Sequence, residues 1–395
     1  MVMDLFQMIA IFFLYFLANP IFYLWLILLY FLSKKRVKEE RISFHTRVFR
    51  RLADYTIPFL PGLLTGVFLS IVTIGLGLII SWEWIAVIAV LYVFFALTLQ
   101  VQWLTPTYVL GFLLFFYGLE PLLGSMEYVA PIYAELGNIP LVIVATILVL
   151  FMIAEGFLIR YHGATYSSPR LERSKRGKWV GLHVAKRIWL VPVVFFIPEG
   201  MIPTITHWPV FSVGDVTLQP VFIPFLIGFT QRVRGSIPRM PIQAMGSRVI
   251  GLGLLLSLFA IGSYYIPVLA VVLGGLAIVF RELLSYQAKI HEGKQPIFFS
   301  TQTKGCIILG VLPNSPAAKM NLEIGETIVK VNGQEVNTET GFYEALQINS
   351  AFCKLEVLNH DGEIRFAQGA LYDGEHHQLG VLLVKGDVVL QDSIT

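Results

Sequence analysis

The sequence has little charge for its length. Asp, Glu, Lys and Arg together make up 14% of its 395 residues, whereas hydrophobic residues make up 56%. A soluble protein of average composition carries about 25% charged residues, and the mean hydropathy of this chain is +0.71. This composition excludes an ordinary soluble globular protein. It predicts a polytopic α-helical membrane protein with one extramembrane domain near its carboxyl terminus.

Cysteine is also scarce, and no spacing of His, Cys, Asp or Glu predicts a metal site. The two cysteines, Cys306 and Cys353, both lie in the predicted soluble domain. They could pair with each other, but their apolar flanks favour two reduced thiols in a reducing compartment. His376 and His377 are adjacent beside a predicted turn, where such a pair is more often without a metal than with one. The sequence therefore predicts no metal and no cofactor.

The motifs of intramembrane proteases are missing. A zinc metalloprotease needs His-Glu-x-x-His within a span, but His291-Glu292 is not followed by a second His at that spacing. The Gly-x-Ser-Gly of rhomboid-like proteases is absent too. A transporter would place ionisable residues near the midplane of its spans, and Glu120, Glu155 and Glu199 lie away from it. We therefore predict no catalytic residue, no enzymatic activity and no small-molecule substrate.

Long apolar runs dominate the first 295 residues and predict helical spans. The first 32 residues are almost wholly apolar and are broken by Asn19-Pro20. They are compatible with one span, with a hairpin, and with an interfacial helix followed by a short span, and the sequence leaves these alternatives open. The further predicted spans are 57–80, 85–103, 107–124, 139–159, 188–206, 216–231 and 249–280.

The basic residues of this region are grouped. Every Lys and Arg before residue 296 falls into one of four segments, which are 34–51, 160–187, 231–248 and 281–294. The positive-inside rule places such segments on the cytoplasmic side of the membrane. The domain that follows the fourth segment is then cytoplasmic as well.

Residues 249–280 lie between two of these basic segments and must therefore cross the membrane an even number of times. One helix through all 32 residues would be ~48 Å long, whereas the hydrocarbon core of a bilayer is ~30 Å thick. Gly262-Ser263 and Pro267 offer a break. We predict a tight or re-entrant hairpin of two short helices.

Residues 296–395 have the pattern of a small, mostly β domain. The predicted elements are strands at 305–311, 328–331, 354–358 and 363–366, a helix at 339–348, and a hairpin turn at Asn332-Gly333. Four stretches carry a resemblance to a PDZ domain, namely GVLPNSPAAKMNL, IGETIVKVNGQEV, FYEALQINSA and KLEVL. The chain therefore divides into a multi-span domain, 1–295, and a PDZ-like domain, 296–395.

One departure from the PDZ pattern locates a candidate site. A PDZ domain has a glycine-containing carboxylate loop before the strand that receives its peptide, and no such loop precedes Gly305. The stretch HQLGVLL at 377–383 fits that role, so the domain looks circularly permuted, with its receiving strand last. The resemblance implies that backbone N–H groups of this loop hold a terminal carboxylate and that the strand pairs with an extended peptide.

The alternative is that 379–384 form only a core strand. The predicted peptide-binding residues are His377, Gln378, Leu379, Gly380, Val381, Leu382 and Leu383 in the loop and strand, and Phe342, Tyr343 and Leu346 on the groove helix.

The chain as a whole resembles the MinJ-like cell-division topological determinants of Gram-positive bacilli. The likeness rests on the order of the two domains, on the late carboxylate loop, and on the stretch LILLYFLSKKRVKEERISFHTRVFRR. It implies a non-enzymatic adaptor in the cell membrane, at poles and septa. This adaptor would link a DivIVA-like scaffold to the division inhibitor, a MinD-like ATPase. The other implied partners are further division proteins and membrane lipids, and no nucleic acid.

Two other functions stay open from the residues alone. One is a membrane adaptor in protein quality control that presents substrates to a separate protease. The other is a transporter with a regulatory PDZ domain, which would need paired polar residues at midplane depth on facing spans.

Overall fold

The computed structural model describes residues 13–126, 130, 133, 140–198, 211–213, 216–349, 352–370 and 379–385. Its first part combines helices with a long β-hairpin, and its last part is a small β-rich domain. The helices of the first part are α1 (Pro20–Phe44), α2 (Ala53–Gly75), α3 (Trp82–Leu97), α4 (Pro106–Gly118), α5 (Glu120–Leu123), α6 (Leu141–His162), α7 (Arg239–Gly262) and α8 (Val268–Lys294).

Four helices, α2, α6, α7 and α8, are long and apolar enough to cross a membrane, with 22 to 27 residues each. α2 and α6 confirm the spans predicted at 57–80 and 139–159. α3 and α4 have 16 and 13 residues. They are shorter than the spans predicted at 85–103 and 107–124, because the chain leaves the helix at Thr98 and at Leu119.

The break at Asn19-Pro20 is the start of a helix. The Asn19 side chain accepts a hydrogen bond from the backbone N–H of Ile21 at 3.0 Å, and Pro20 occupies the first turn, where a missing N–H costs nothing. α1 then continues through the basic segment to Phe44 and ends where His45 takes a left-handed conformation with φ of 58°.

α7 and α8 form the predicted hairpin, and they separate at Ser263–Pro267, where the sequence offered a break. The expectation of short helices was wrong, because α7 has 24 residues and α8 has 27. Both helices extend beyond the apolar run into its polar flanks, from Arg239 at one end to Lys294 at the other. Each is therefore long enough to cross a bilayer.

The helical spans predicted at 188–206 and 216–231 were wrong. The described residues of these runs belong to two long strands, β2 (Trp179–Pro198) and β4 (Val216–Val233), which pair antiparallel from His183 opposite Val233 to Pro198 opposite Leu218. Two short strands, β1 (Ser168–Arg173) and β3 (Phe211–Val213), complete a sheet of order β1-β2-β4-β3. Strands buried on both faces read as continuous apolar runs, so hydropathy alone does not separate them from helices.

A strand edge that enters an apolar layer needs partners for its backbone groups. α2 supplies them for β2. The Ser70 hydroxyl accepts from the N–H of Val194 at 2.9 Å, and the Thr73 hydroxyl donates to the carbonyl of Val194 at 2.8 Å. Gly62 and Gly66 let α2 approach this closely, because a Cβ at either position would overlap a backbone carbonyl of β2.

The other edge of the hairpin is closed in the same way. The Tyr92 hydroxyl of α3 donates to the carbonyl of Leu226 at 2.9 Å and accepts from its N–H at 3.2 Å. The N–H of Gly228 donates to the carbonyl of Leu104 at 2.8 Å. Side chains and a neighbouring turn thus replace the missing strands on both sides of the hairpin.

The carboxyl-terminal domain is a five-strand path of order β10-β5-β6-β8-β9, with β7 paired to β6. The predicted strands, helix and turn are confirmed, and Asn332 and Gly333 both have positive φ, at 51° and 87°, as a tight hairpin turn requires. Its elements are β5 (Cys306–Val311), α9 (Pro316–Lys319), β6 (Thr327–Val331), β7 (Gln334–Glu335), α10 (Glu339–Gln347), β8 (Phe352–Leu358), β9 (Ile364–Ala370) and β10 (Val381–Leu383).

The domain packs against the first part of the chain. Gly181 of β2 donates its N–H to the carbonyl of Phe299 at 2.7 Å, and Phe298 donates its N–H to the carbonyl of Arg234 at 2.9 Å. A buried apolar cluster lies at this interface; its members are Phe299, Ile307, Leu309 and Val384, with Phe44, Leu171, Phe298 and Ile324 packed around them.

Candidate peptide groove

Strand β10 lies at the edge of the domain's sheet. It pairs antiparallel with β5, with Val381 opposite Val311 and Leu382 opposite Gly310, and the register shifts between Leu382 and Leu383. In the described part of the sheet, β5 is its only neighbour. An exposed strand edge is the surface to which an extended peptide adds.

The loop before β10 is anchored by its carbonyl groups. Leu379 accepts from the N–H of Ala317 at 3.0 Å, and Gly380 accepts from the N–H of Leu312 at 2.8 Å. Gly380 has φ of 86°, and a Cβ there would overlap the side chain of Ser315. A side chain at this position therefore meets both backbone strain and a steric clash.

The hydrogen-bond pattern sets the direction of the next N–H group. The Gly380 carbonyl accepts from the N–H of Leu312, the residue directly after β5, and Leu382 lies opposite Gly310. Alternate residues of an antiparallel strand direct their polar groups to the same neighbour. The N–H and carbonyl of Val381 consequently lie on the edge away from β5.

The predicted site residues come together, but mainly inside the domain. Phe342 and Leu346 are 0% and 3% exposed, and they share a core cluster with Leu379, Val381 and Leu383. They therefore connect α10 to β10 through the core of the domain. Tyr343 is half-buried and lies at the margin of the same cluster.

The remaining predicted residues divide into two groups. Leu382 faces the other way, and its side chain is near Gly310, which also contacts Pro169. His377 and Gln378 lie outside the described residues. Recognition at β10 would therefore depend on its backbone edge more than on the side chains of Leu382 and Leu383.

Sequence reasoning missed a polar pocket at the end of β10. It has a volume of about 270 Å³, and Glu339, at the start of α10, is half-buried in its wall. Burial raises the pKa of Glu339, and the charges of Lys385 and His45 act against that rise. The Lys385 ammonium lies 3.5 Å from Nε2 of His45. No signal in the sequence links His45, directly after α1, to a helix nearly 300 residues later.

A buried histidine joins the domain to the membrane part. Nε2 of His183 lies 2.8 Å from the carbonyl oxygen of Leu309, and Nδ1 lies 3.0 Å from the hydroxyl of Ser167. A carbonyl only accepts, so Nε2 carries the proton and Nδ1 accepts from Ser167. Burial lowers the pKa of His183 to about 4.

Both cysteine thiols are free and buried. Burial raises the pKa of Cys306 to about 11 and that of Cys353 to about 12. Thiols with such pKa values are poor nucleophiles at neutral pH. Within the described residues there is no group of three or more His, Cys, Asp or Glu side chains that could hold a metal ion.

The acidic residue Glu155 of α6 is enclosed in the helical part. Its carboxylate contacts the guanidinium of Arg281 at 2.8 Å and accepts from the hydroxyls of Thr105 and Thr107 at 2.8 and 3.0 Å. A buried charge with this many partners is a fixed structural pair. Glu199 lies outside the described residues.

Comparison with known proteins adds the family. The family model of the PDZ domain matches residues 287–341, from within α8 to the start of α10. The cell division topological determinant MinJ of Bacillus subtilis (strain 168) is 36% identical over 380 residues, which cover 94% of each chain. The chain belongs to the MinJ family.

More distant relatives have the same description. A probable cell division topological determinant MinJ of Lacticaseibacillus paracasei is 26% identical over 245 residues, covering 59% of this chain and 63% of the relative. That of Lacticaseibacillus casei (strain BD-II) matches to the same extent. A MinJ-family chain with a PDZ domain and four helices that could cross a membrane has a role in cell division and in the selection of the division site.

Proposed function

We propose that this chain is a non-enzymatic adaptor of the cell membrane that recruits division proteins to poles and septa. In this proposal it links a DivIVA-like scaffold to a MinD-like ATPase. The family supplies the process, and the observation that carries the mechanism is the edge of β10, which has no partner strand among the described residues and which shares a core cluster with α10. An adaptor needs a surface for a partner rather than a site for a reaction.

The groove would act by strand addition. A partner segment would lie antiparallel to β10, and its carboxylate would approach the N–H groups of Leu379, Gly380 and Val381. β10 is the last described strand and yet lies beside β5, the first strand of the domain. This position supports a circularly permuted PDZ domain with residues 296–395 as its extent.

The domain would lie in the cytoplasm. Its contacts reach residues from three of the four basic segments, through His45, His183 and Arg234, and it follows directly after the fourth. These contacts support a position of the four segments on one side of the protein. The positive-inside rule assigns that side to the cytoplasm.

Removal of a single backbone donor tests the groove. Val381→Pro deletes the N–H on the open edge of β10, and its matched control, Val381→Ala, keeps that N–H while it shortens the buried side chain. Each tagged variant would be imaged in dividing cells, with the thermal unfolding of the purified chain as a check on folding. We expect the wild type and Val381→Ala to gather at septa and poles and Val381→Pro to spread over the membrane.

The partner is tested by removal of the DivIVA-like scaffold. Loss of septal enrichment of the wild type would support the link to that scaffold. A uniform membrane signal that ignores the septum in unaltered cells would overturn the adaptor function. Septal enrichment of a folded Val381→Pro variant would overturn strand addition alone.

A further inference from the structure

A basic groove lies between α1 and the start of α2. It has a volume of about 660 Å³, and four of its lining residues are cations with exposed side chains. No acidic side chain is among its described lining residues. Those residues are Lys34, Lys38, Arg41 and Arg51, with Tyr30, Ser33, Val37, Ile42, Leu52 and Tyr55.

The acidic residues of the same segment are engaged elsewhere. Glu40 is buried and pairs with Arg36 at 2.8 Å, and Asp54 pairs with the same guanidinium at 2.8 Å. Glu39 pairs with Arg170 of β1. Their charges are therefore neutralised by these partners, and none of the three carboxylates lines the groove.

Among the described residues, the four cations that line the groove have no acidic partner. In the described part of the structure, no ion pair is formed by Lys34, Lys38, Arg41 or Arg51. Arg36 of the same helix, by contrast, forms two ion pairs, with Glu40 and Asp54. Four like charges around one concave surface repel one another unless an anion lies between them. This arrangement points to an anionic ligand.

The groove also lies at the boundary between apolar and charged sequence. α1 is apolar up to Leu32 and basic from Lys34, and α2 begins its apolar span at Ala53, directly after Arg51 and Leu52. At the apolar end, Tyr30 is 57% exposed. Tyrosine is enriched where a membrane meets water, and Lys and Arg near that level attract anionic headgroups.

We propose that this groove binds the headgroup of an anionic phospholipid. The phosphate would lie among the Lys and Arg side chains, and the acyl chains would run beside Tyr30, Tyr55 and Leu52 toward the apolar parts of α1 and α2. Pockets of this kind between helices on the cytoplasmic side are suited to phosphate headgroups with attached chains. The groove would thus be a specific lipid site, separate from the general attraction of basic segments to the membrane.

Native mass spectrometry of the full chain in detergent tests the proposal. The probes are phosphatidylglycerol and phosphatidylcholine with identical acyl chains, and the variant carries Lys34→Gln, Lys38→Gln, Arg41→Gln and Arg51→Gln. We expect the wild type to bind phosphatidylglycerol about 10-fold more tightly than phosphatidylcholine, and the variant to lose about 10-fold or more of that affinity.

A second variant, which has the same net charge as the groove variant, serves as the control. It carries Arg47→Gln, Lys175→Gln, Arg176→Gln and Lys178→Gln, which are exposed basic positions outside the groove. We expect its affinity for phosphatidylglycerol to stay within about twofold of the wild type, because a bound headgroup responds to its own contacts more than to distant screened charge. If the groove variant unfolds, the single exposed changes Lys34→Gln and Lys38→Gln replace it.

Three results would overturn the proposal. An equal loss of affinity for phosphatidylglycerol in the groove variant and the control variant would show a general charge effect. Competition by free glycerol 3-phosphate at the same concentration as the lipid would assign the groove to a soluble phosphate. Displacement of the lipid by an acidic peptide at a concentration below that of the lipid would assign the groove to a protein partner.

Discussion

His183 couples the docking of the PDZ-like domain to protonation. Its folded pKa is about 4, below the value of 6.5 that an unperturbed histidine has. Between these values the unfolded chain binds a proton that the folded chain does not. Stability is therefore full above pH 6.5, falls as the pH drops, and levels off near pH 4, with a total loss of roughly 3 kcal/mol.

We predict that His183→Gln removes this part of the pH dependence. Glutamine can donate its amide N–H to the carbonyl of Leu309 in place of Nε2 but does not titrate between pH 5 and 7.5. The measurement is hydrogen exchange at residues 305–311 in detergent over that range. The protection factor, which corrects the measured rate for the base-catalysed intrinsic rate of amide exchange, should fall at low pH in the wild type and change less in the variant, and equal slopes of the protection factor in both would contradict the prediction.

Gly380 should tolerate alanine less well than Gly333 does. Both have strongly positive φ, 86° and 87°, but Gly333 faces open space whereas a Cβ at Gly380 meets Ser315. Gly333→Ala then measures the backbone strain, about 1–2 kcal/mol, and Gly380→Ala adds an overlap of about 1–3 kcal/mol. Thermal unfolding of the two variants compares them, and equal losses would show that the loop moves freely away from Ser315.

At the scale of elements, the contact between α2 and β2 replaces a missing strand. Gly66 lies against the backbone of Pro192, whereas Gly75 of the same helix has open space around its Cα. We predict that Gly66→Ala destabilises the membrane part by about 1–3 kcal/mol because the helix must move away from β2. Gly75→Ala should be neutral or stabilising, since alanine favours helices.

The measurement is the unfolding temperature of Gly66→Ala and of Gly75→Ala in the same detergent. Equal unfolding temperatures for the two variants would contradict the prediction. Ser70→Ala provides an independent check. It leaves the N–H of Val194 without its acceptor, and a buried donor left unpaired costs about 1–3 kcal/mol.

The same elements show how far the sequence could predict the fold. β8 of the PDZ-like domain was predictable because buried and exposed residues alternate in it, as in Lys354-Leu355-Glu356-Val357, and β5 was predictable because its apolar run of six residues is too short for a span, while Asn332-Gly333 marks a turn. β2 and β4 were not, because their residues are buried on both faces and give no alternation. Their prolines, such as Pro192 opposite Pro224, were the available sign against a helix.

The candidate groove was predictable in its backbone and less so in its side chains. The stretch 379–383 could be aligned with a carboxylate loop because its glycine stands between apolar residues. That Phe342 and Leu346 point into the core, and that Lys385 meets His45 at the end of α1, depends on packing between parts of the chain that are distant in sequence. No local pattern carries such information.

For the whole molecule, the gathered basic segments predict a topology that can be measured. A cysteine at Lys175, in the exposed turn between β1 and β2, should react with a membrane-impermeant reagent only after the cells are opened. A cysteine at Tyr265, which is 79% exposed between α7 and α8, should react in intact cells, because one helix crossing separates it from the basic segments. Reaction of both from the same side would contradict this topology.

The native thiols do not obscure this measurement. Cys306 and Cys353 are buried and hold their protons at neutral pH, so the reagent reports on the introduced cysteine. The unaltered chain is the control and should remain unlabelled before and after the cells are opened.

The docking of the domain also fixes how far a partner must reach. Residues 295–305 connect α8 to β5, but Phe298 and Phe299 within them are bonded to Arg234 and Gly181, so this connection is not a flexible tether. The edge of β10 is consequently held at a fixed position relative to the helices of the first part. If a partner in the same membrane binds this edge, as proposed above, its own linker must cover the distance, and the local concentration of its binding segment would be highest when that linker just spans the distance. Partners would then be selected by the length of their linkers as well as by sequence.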